Sequence, residues 1–171
     1  GAGWLEEEFD ALGVPFAGRG ARTDAYVAAM RALWGGGEVT LDDGYQRWER
    51  AVSLPTPVDG SVPVIVGGHS EAAARRAGRI GDGFFPGKGS PADLARLIAV
   101  MRGAAEEAGR DPDAIEITAG SAGVMGPDPL GAVEEMAALG VSRLIIAPLA
   151  WDAASAPEAY GAFGESVIAK A

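Results

Sequence analysis

Between residues 62 and 170 the sequence alternates four times between a short apolar run and a helical pattern, and this alternation constrains the fold more than any other feature. The runs are Val62-Pro63-Val64-Ile65-Val66, Gly83-Phe84-Phe85, Ile115-Glu116-Ile117-Thr118-Ala119 and Arg143-Leu144-Ile145-Ile146-Ala147. The first and last are almost continuously apolar, the pattern of strands covered on both faces in a parallel sheet. The second run is recognised mainly by its neighbours. Strand–helix units in strict alternation require crossover connections and therefore a parallel sheet. Two folds satisfy this, a (β/α)8 barrel and an open doubly wound sheet, and spacing alone does not separate them.

Local chemistry marks the helices. Ser70 is placed to cap a helix from Glu71 to about Arg79. Ser90-Pro91-Ala92-Asp93 joins a capping serine, a proline at the first helical position and an acid at the third. Leu94, Leu97, Ile98 and Met101 then recur at helical spacing, and Gly109 stops the pattern. Asp128-Pro129 opens a further helix carrying Leu130, Val133 and Met136 that ends at Gly140. A last helix is predicted from Pro157 through Tyr160, Phe163 and Val167.

The front third has a different pattern. Glu6-Glu7-Glu8 reads as the solvated start of a helix, where acids complement the dipole. A second helix is predicted from about Arg22 to Trp34, with Tyr26, Val27, Met30, Leu33 and Trp34 on one stripe, broken by Gly35-Gly36-Gly37. Val39-Thr40-Leu41, Asp42-Asp43-Gly44 and Tyr45-Gln46-Arg47-Trp48 predict a hairpin with an Asp-Gly turn. The expected organisation is one partial domain over 1–171, with a hairpin and loop insertion at 36–60.

Composition excludes several classes of function. The 171 residues carry a net charge of −10 without a basic stripe, which disfavours nucleic acid as a partner. Cysteine is absent, so disulfides, iron–sulfur clusters and thiolate zinc sites are excluded. The single histidine, His69, rules out any metal site that needs two. No apolar run approaches the roughly 20 residues of a membrane span. No secretory signal pattern opens the sequence, so residence in the cytoplasm is expected.

The most informative segment is Val64-Ile65-Val66-Gly67-Gly68-His69-Ser70, in which a buried strand ends, two glycines follow and a helix begins at once. Glycine lets the backbone bend sharply and lets a ligand approach closely. The first helical turn supplies unpaired N–H groups and partial positive charge, so the combination is an anion pocket of the kind that takes phosphate. A tight strand–helix turn without any ligand has the same sequence. The segment is not G-x-G-x-x-G and has no Walker lysine, so neither nucleotide fingerprint applies. His69 has two readings, a donor to phosphate or substrate and a half-exposed turn residue. No second histidine exists to activate a serine, so no nucleophile–base pair is found and no catalytic residue is assigned.

Several segments together resemble luciferase-like monooxygenases. They are Gly1-Ala2-Gly3-Trp4 with Glu8, Phe9 and Leu12-Gly13; Pro63 through Ala77; Gly81-Asp82-Gly83-Phe84-Phe85-Pro86; and Ala108-Gly109-Arg110-Asp111-Pro112. The resemblance covers essentially the whole chain. It is strongest to the subfamily that uses the deazaflavin coenzyme F420, as in actinobacteria, with FMN-dependent monooxygenases as the alternative. It implies a (β/α)8 barrel, of which this chain would form about strands 5–8 with their helices. It also implies that Gly67, Gly68, His69 and Ser70 cradle the cofactor phosphate and that Gly3 and Trp4 lie at the barrel mouth beside the cofactor. The expected activity is hydride transfer between the deazaflavin and a small organic substrate, and homo-oligomers are possible. The barrel's first half is absent and Gly1 falls inside a motif, so a truncated chain is expected. The hydride-transfer residues would then lie in the missing half, and the alternative is a non-catalytic half-barrel that pairs with a partner.

Overall fold

A computed structural model of the protein describes residues 1–87 and 89–171. The chain divides into two compact units, Gly1–Val64 and Ile65–Ala171.

In the first unit α1 (Glu6–Ala11) begins with three glutamates in its first turn, as dipole complementarity requires. Beyond it the rings of Phe9 and Phe16 meet edge to face at 5.2 Å. The Arg19 guanidinium lies 3.8 Å over the Phe16 ring. The next helix, α2 (Arg19–Trp34), starts three residues earlier than its pattern predicts, after Gly18 at φ +73°. Its expected stripe holds only in part: Val27 and Ala29 are buried, whereas Tyr26 and Met30 are exposed. The strands β1 (Val39–Asp42) and β2 (Arg47–Ala51) form the expected antiparallel hairpin. Its loop has four residues, because the Asp43 carboxylate accepts from the amides of both Tyr45 and Gln46 and draws them out of the strand.

The second unit is built on four strands, β3 (Ile65–Gly67), β4 (Gly83–Phe85), β5 (Glu116–Gly120) and β6 (Arg143–Ile145). They lie side by side in sequence order and all pair in parallel. Each successive strand adds to the same edge, so right-handed crossovers place every connecting helix on one face. A doubly wound sheet would reverse its order at a switch point. The sheet is therefore the arc of a (β/α)8 barrel, and the open-sheet alternative is set aside. Strand β3 begins at Ile65 and not at Val62, since Pro63 has no N–H to give to a ladder.

Register shows which side chains face the helices. Val66, Phe84 and Ile117 are neighbours, as are Ala119 and Leu144, and these residues enter the core. The helices α3 (Glu71–Ile80) and α4 (Pro91–Glu107) supply Ala74, Ala77, Leu97 and Met101 to it. Phe84, Leu97, Met101 and Ile117 are the largest fully buried side chains, each worth about 1.5–3 kcal/mol relative to exposure. On the opposite face Ile65 and Ile145 remain 43% and 48% exposed. There Arg143 pairs with Glu116 at 3.1 Å, and the Thr118 hydroxyl donates to the same carboxylate at 3.3 Å.

The helix starts follow the local signals. Ser90 and Asp93 form a complete capping box on α4. The Asp128 side chain accepts from Gly131 N at the start of α5 (Pro129–Ala138). Gly109 and Gly140 take positive φ just past the ends of α4 and α5. The last helix, α6 (Ala156–Phe163), continues as a wider π turn over Gly164–Ile168, for which the sequence gives no signal. Among the described residues no helix is long and apolar enough to cross a membrane.

Candidate functional site

Strand β3 delivers the chain to the site. Val66 is buried and anchors the strand's end, and Gly67 is paired with Phe85. Gly68 then turns with φ +139°, a conformation that side-chain-bearing residues rarely adopt. A Cβ on Gly68 would lie 2.8 Å from the Ala73 methyl group, so glycine is required by space as well as by angle. The Gly68 amide donates to Phe85 O at 3.0 Å. Gly68 thus contributes by having no side chain, and its N–H is already committed to β4.

Ser70 is the N-cap of α3, in extended conformation, and its Oγ accepts from Ala73 N at 3.3 Å. An accepting hydroxyl keeps its own hydrogen free to donate. Among the described residues the amides of His69, Ser70, Glu71 and Ala72 donate to no protein acceptor. His69 and Ser70 are exposed and Gly67 and Gly68 are half-buried, so the bend is open to solvent and not sealed by side chains. Free N–H groups at a helix start, with the positive end of the helix dipole behind them, are what an anion needs.

Three charged side chains surround the first turn of α3. The Glu71 carboxylate accepts from Arg75 at 2.8 Å and from Arg96 of α4 at 2.8 Å, and the charge of Arg96 also acts on the Asp93 carboxylate. Arg75 lies one helical turn beyond Glu71, so that pair is readable from spacing. Arg96 is 25 residues away and has no such signal. Elsewhere along the carboxyl edge of the sheet, Pro86, Gly87, Ala119 and Gly120 line a small cleft of about 30 Å³. A larger apolar hollow of about 700 Å³ lies at the β6 end of the unit, among Met136, Leu144, Tyr160, Phe163 and Val167. It belongs to the helix side of the sheet and contains no residue of the glycine turn. Among the described residues no group of three or more His, Asp or Glu is placed to hold a metal ion.

Gly3 and Trp4 belong to the first unit. Gly3 has φ +82°, and its carbonyl accepts from Arg19 Nε at 3.1 Å. Trp4 follows with 82% of its surface exposed. The structure thus brings Gly67, Gly68, His69 and Ser70 together on one turn and fixes Gly3 and Trp4 on another segment.

The luciferase-like monooxygenase family matches residues 1–164, and the chain belongs to that family. An uncharacterized protein of Mycobacterium tuberculosis is 38% identical over 104 residues, covering 61% of this chain and 35% of the relative. An F420-dependent glucose-6-phosphate dehydrogenase of the same organism is 39% identical over 103 residues, covering 59% of this chain and 30% of the enzyme. The matched segment is thus about a third of either relative's length. The fold resembles that of the coenzyme F420-dependent tetrahydromethanopterin reductase of Methanopyrus kandleri. That likeness has a TM-score of 0.74 at 18% identity and covers 92% of this chain and 70% of the reductase.

Proposed function

We propose that the protein is an F420-dependent oxidoreductase and that the turn from Gly67 to Ser70 holds the phosphate of the deazaflavin. The observation that carries this reading is the set of four adjacent amides, His69 to Ala72, left without acceptors among the described residues at an open helix start. The residues fit the group: the bend is open to solvent at His69 and Ser70, and the Ser70 hydroxyl adds a donor beside the amides. When bound, the deazaflavin supplies the hydride chemistry, while the chain supplies binding and position. The F420-dependent relative, 39% identical over the matched segment, supports the deazaflavin over FMN.

On this reading the substrate is a small organic molecule. Titration of the protein with F420 and with FMN tests the reading. Tighter binding of F420 is expected. Preference for FMN would move the protein to the monooxygenase branch, and binding of neither would remove the cofactor site.

A second reading is favoured by one specific observation. Ile65 and Ile145 lie half exposed on the sheet face opposite α3 and α4. Such a face invites association with a partner or a second copy that completes the barrel. Light scattering would show a dimer or larger species if so, and a stable monodisperse monomer would count against required pairing.

A further inference from the structure

The segment Ala108-Gly109-Arg110-Asp111-Pro112 has no part in the phosphate turn, yet it reaches the helix that carries it. Arg110 leaves the end of α4 with its main chain pinned on both sides. Its amide donates to Ala105 O at 2.9 Å. Next to it Asp111 caps the short 3-10 turn Pro112–Ala114 by accepting from Asp113 N at 2.9 Å. The part-buried Arg110 guanidinium is thereby aimed at the far end of α3. It donates to Ala77 O at 3.3 Å, to Gly78 O at 2.5 Å and to Gly81 O at 2.6 Å. Three carbonyls at the carboxyl end of α3 thus converge on one planar fork, which a lysine's point charge does not reproduce.

The two ends of α3 are held very differently. At its carboxyl end are the Arg110 fork and a close approach of Gly78 to the α4 backbone. At its amino end are the Ser70 cap, the Gly68–Phe85 hydrogen bond and the exposed Glu71–Arg96 ion pair, and among the described residues four amides have no protein acceptor. A helix of ten residues is a stiff rod about 15 Å long, so its axial position at one end sets the height of its amides at the other. We infer that Arg110 is a positioning residue for the anion turn, holding α3 at the height where the free amides meet the phosphate at the sheet's edge. This inference rests on the phosphate reading given above. Arg110 touches neither cofactor nor substrate and acts through α3.

The test uses the 171-residue chain and two probes, coenzyme F420 and the same deazaflavin without its phosphate. Both are titrated by fluorescence into the wild type and into Arg110→Lys and Arg110→Ala. The readout is the ratio of the two affinities, in which any loss of folded protein cancels. The wild type is expected to prefer the phosphorylated probe. Misalignment of about one hydrogen bond in Arg110→Lys should cut that preference about three- to tenfold, with the phosphate-free affinity unchanged. Arg110→Ala should cut it at least as far, and millimolar guanidinium should restore part of it. If the alanine variant does not fold, the lysine variant decides alone. A wild type without preference for the phosphorylated probe overturns the phosphate reading itself. A preference that survives in Arg110→Lys while the urea midpoint falls makes Arg110 a structural cap only and overturns this inference.

Discussion

Gly78→Ala should separate the two helices that carry the site, and its cost can be worked from the contact. A Cβ on Gly78 would lie 2.8 Å from Ala105 N, 2.9 Å from the Ala104 methyl group and closer still to the Met101 carbonyl oxygen. Ordinary contacts lie at about 3.5–4.0 Å, so α3 and α4 must part by roughly 1 Å. Forcing a methyl group into a filled interface costs about 1–3 kcal/mol, and the obstacle here is backbone, which places the cost near the upper limit. Replacing a helical glycine with alanine returns about 1 kcal/mol of propensity. The net loss is then about 2 kcal/mol, or a fall of about 1 M in the urea midpoint at a typical slope. Gly103→Ala is the matched control, because a Cβ there meets nothing within 4 Å. That variant keeps only the propensity gain and should raise the midpoint. If Gly78→Ala behaves like Gly103→Ala, the close approach of α3 and α4 is refuted.

Three further outcomes are expected. Ser70→Ala removes both the cap on Ala73 N and a donor to the phosphate, so stability should fall by about 1 kcal/mol and F420 affinity should fall with it; calorimetry reads both. Gly68→Ala meets the Ala73 methyl group and an unfavourable φ, so it should weaken cofactor binding and also lower the thermal midpoint, and a variant with wild-type affinity would count against the assigned turn. Hydrogen bonds from Ser90 hold the Asp93 carboxyl below the usual carboxylate range, and those from Ser155 do the same for Asp152. Both acids thus contribute stability that is complete above the ordinary carboxylate pKa and is lost as pH falls through their depressed folded values. Ser90→Ala should raise the Asp93 pKa and bring forward the acid limb of unfolding, which NMR titration and a pH-dependent melt would follow.

What the sequence reveals and what it withholds divides along the line between local and distant chemistry. Ser70, Ser90 and Asp128 satisfy amides three residues away, so their caps were readable without a fold. The four strands were readable from apolar runs set between helical patterns, two of them nearly continuous and the second only through its neighbours. The Tyr26 and Met30 stripe misled, because periodicity names a face of α2 without naming what covers it. Tyr45 and Gln46 were assigned to a strand, whereas the Asp43 carboxylate competes for their amides. At the site, the glycine turn was legible as an anion pocket in outline only. That Gly68 N is committed to Phe85 depends on β3 pairing with β4, and that Arg96 reaches Glu71 depends on α4 lying against α3. The same holds for Arg110, whose three acceptors lie 29 to 33 residues away.

The most direct measurement is an amide-resolved NMR titration of the isotope-labelled protein with F420. Resonances of His69, Ser70, Glu71 and Ala72 should move downfield as the phosphate accepts their protons, while Gly68, already bonded to Phe85, should move least. Shifts confined to the apolar hollow around Met136, Tyr160 and Phe163, with the four turn amides unmoved, would contradict the account.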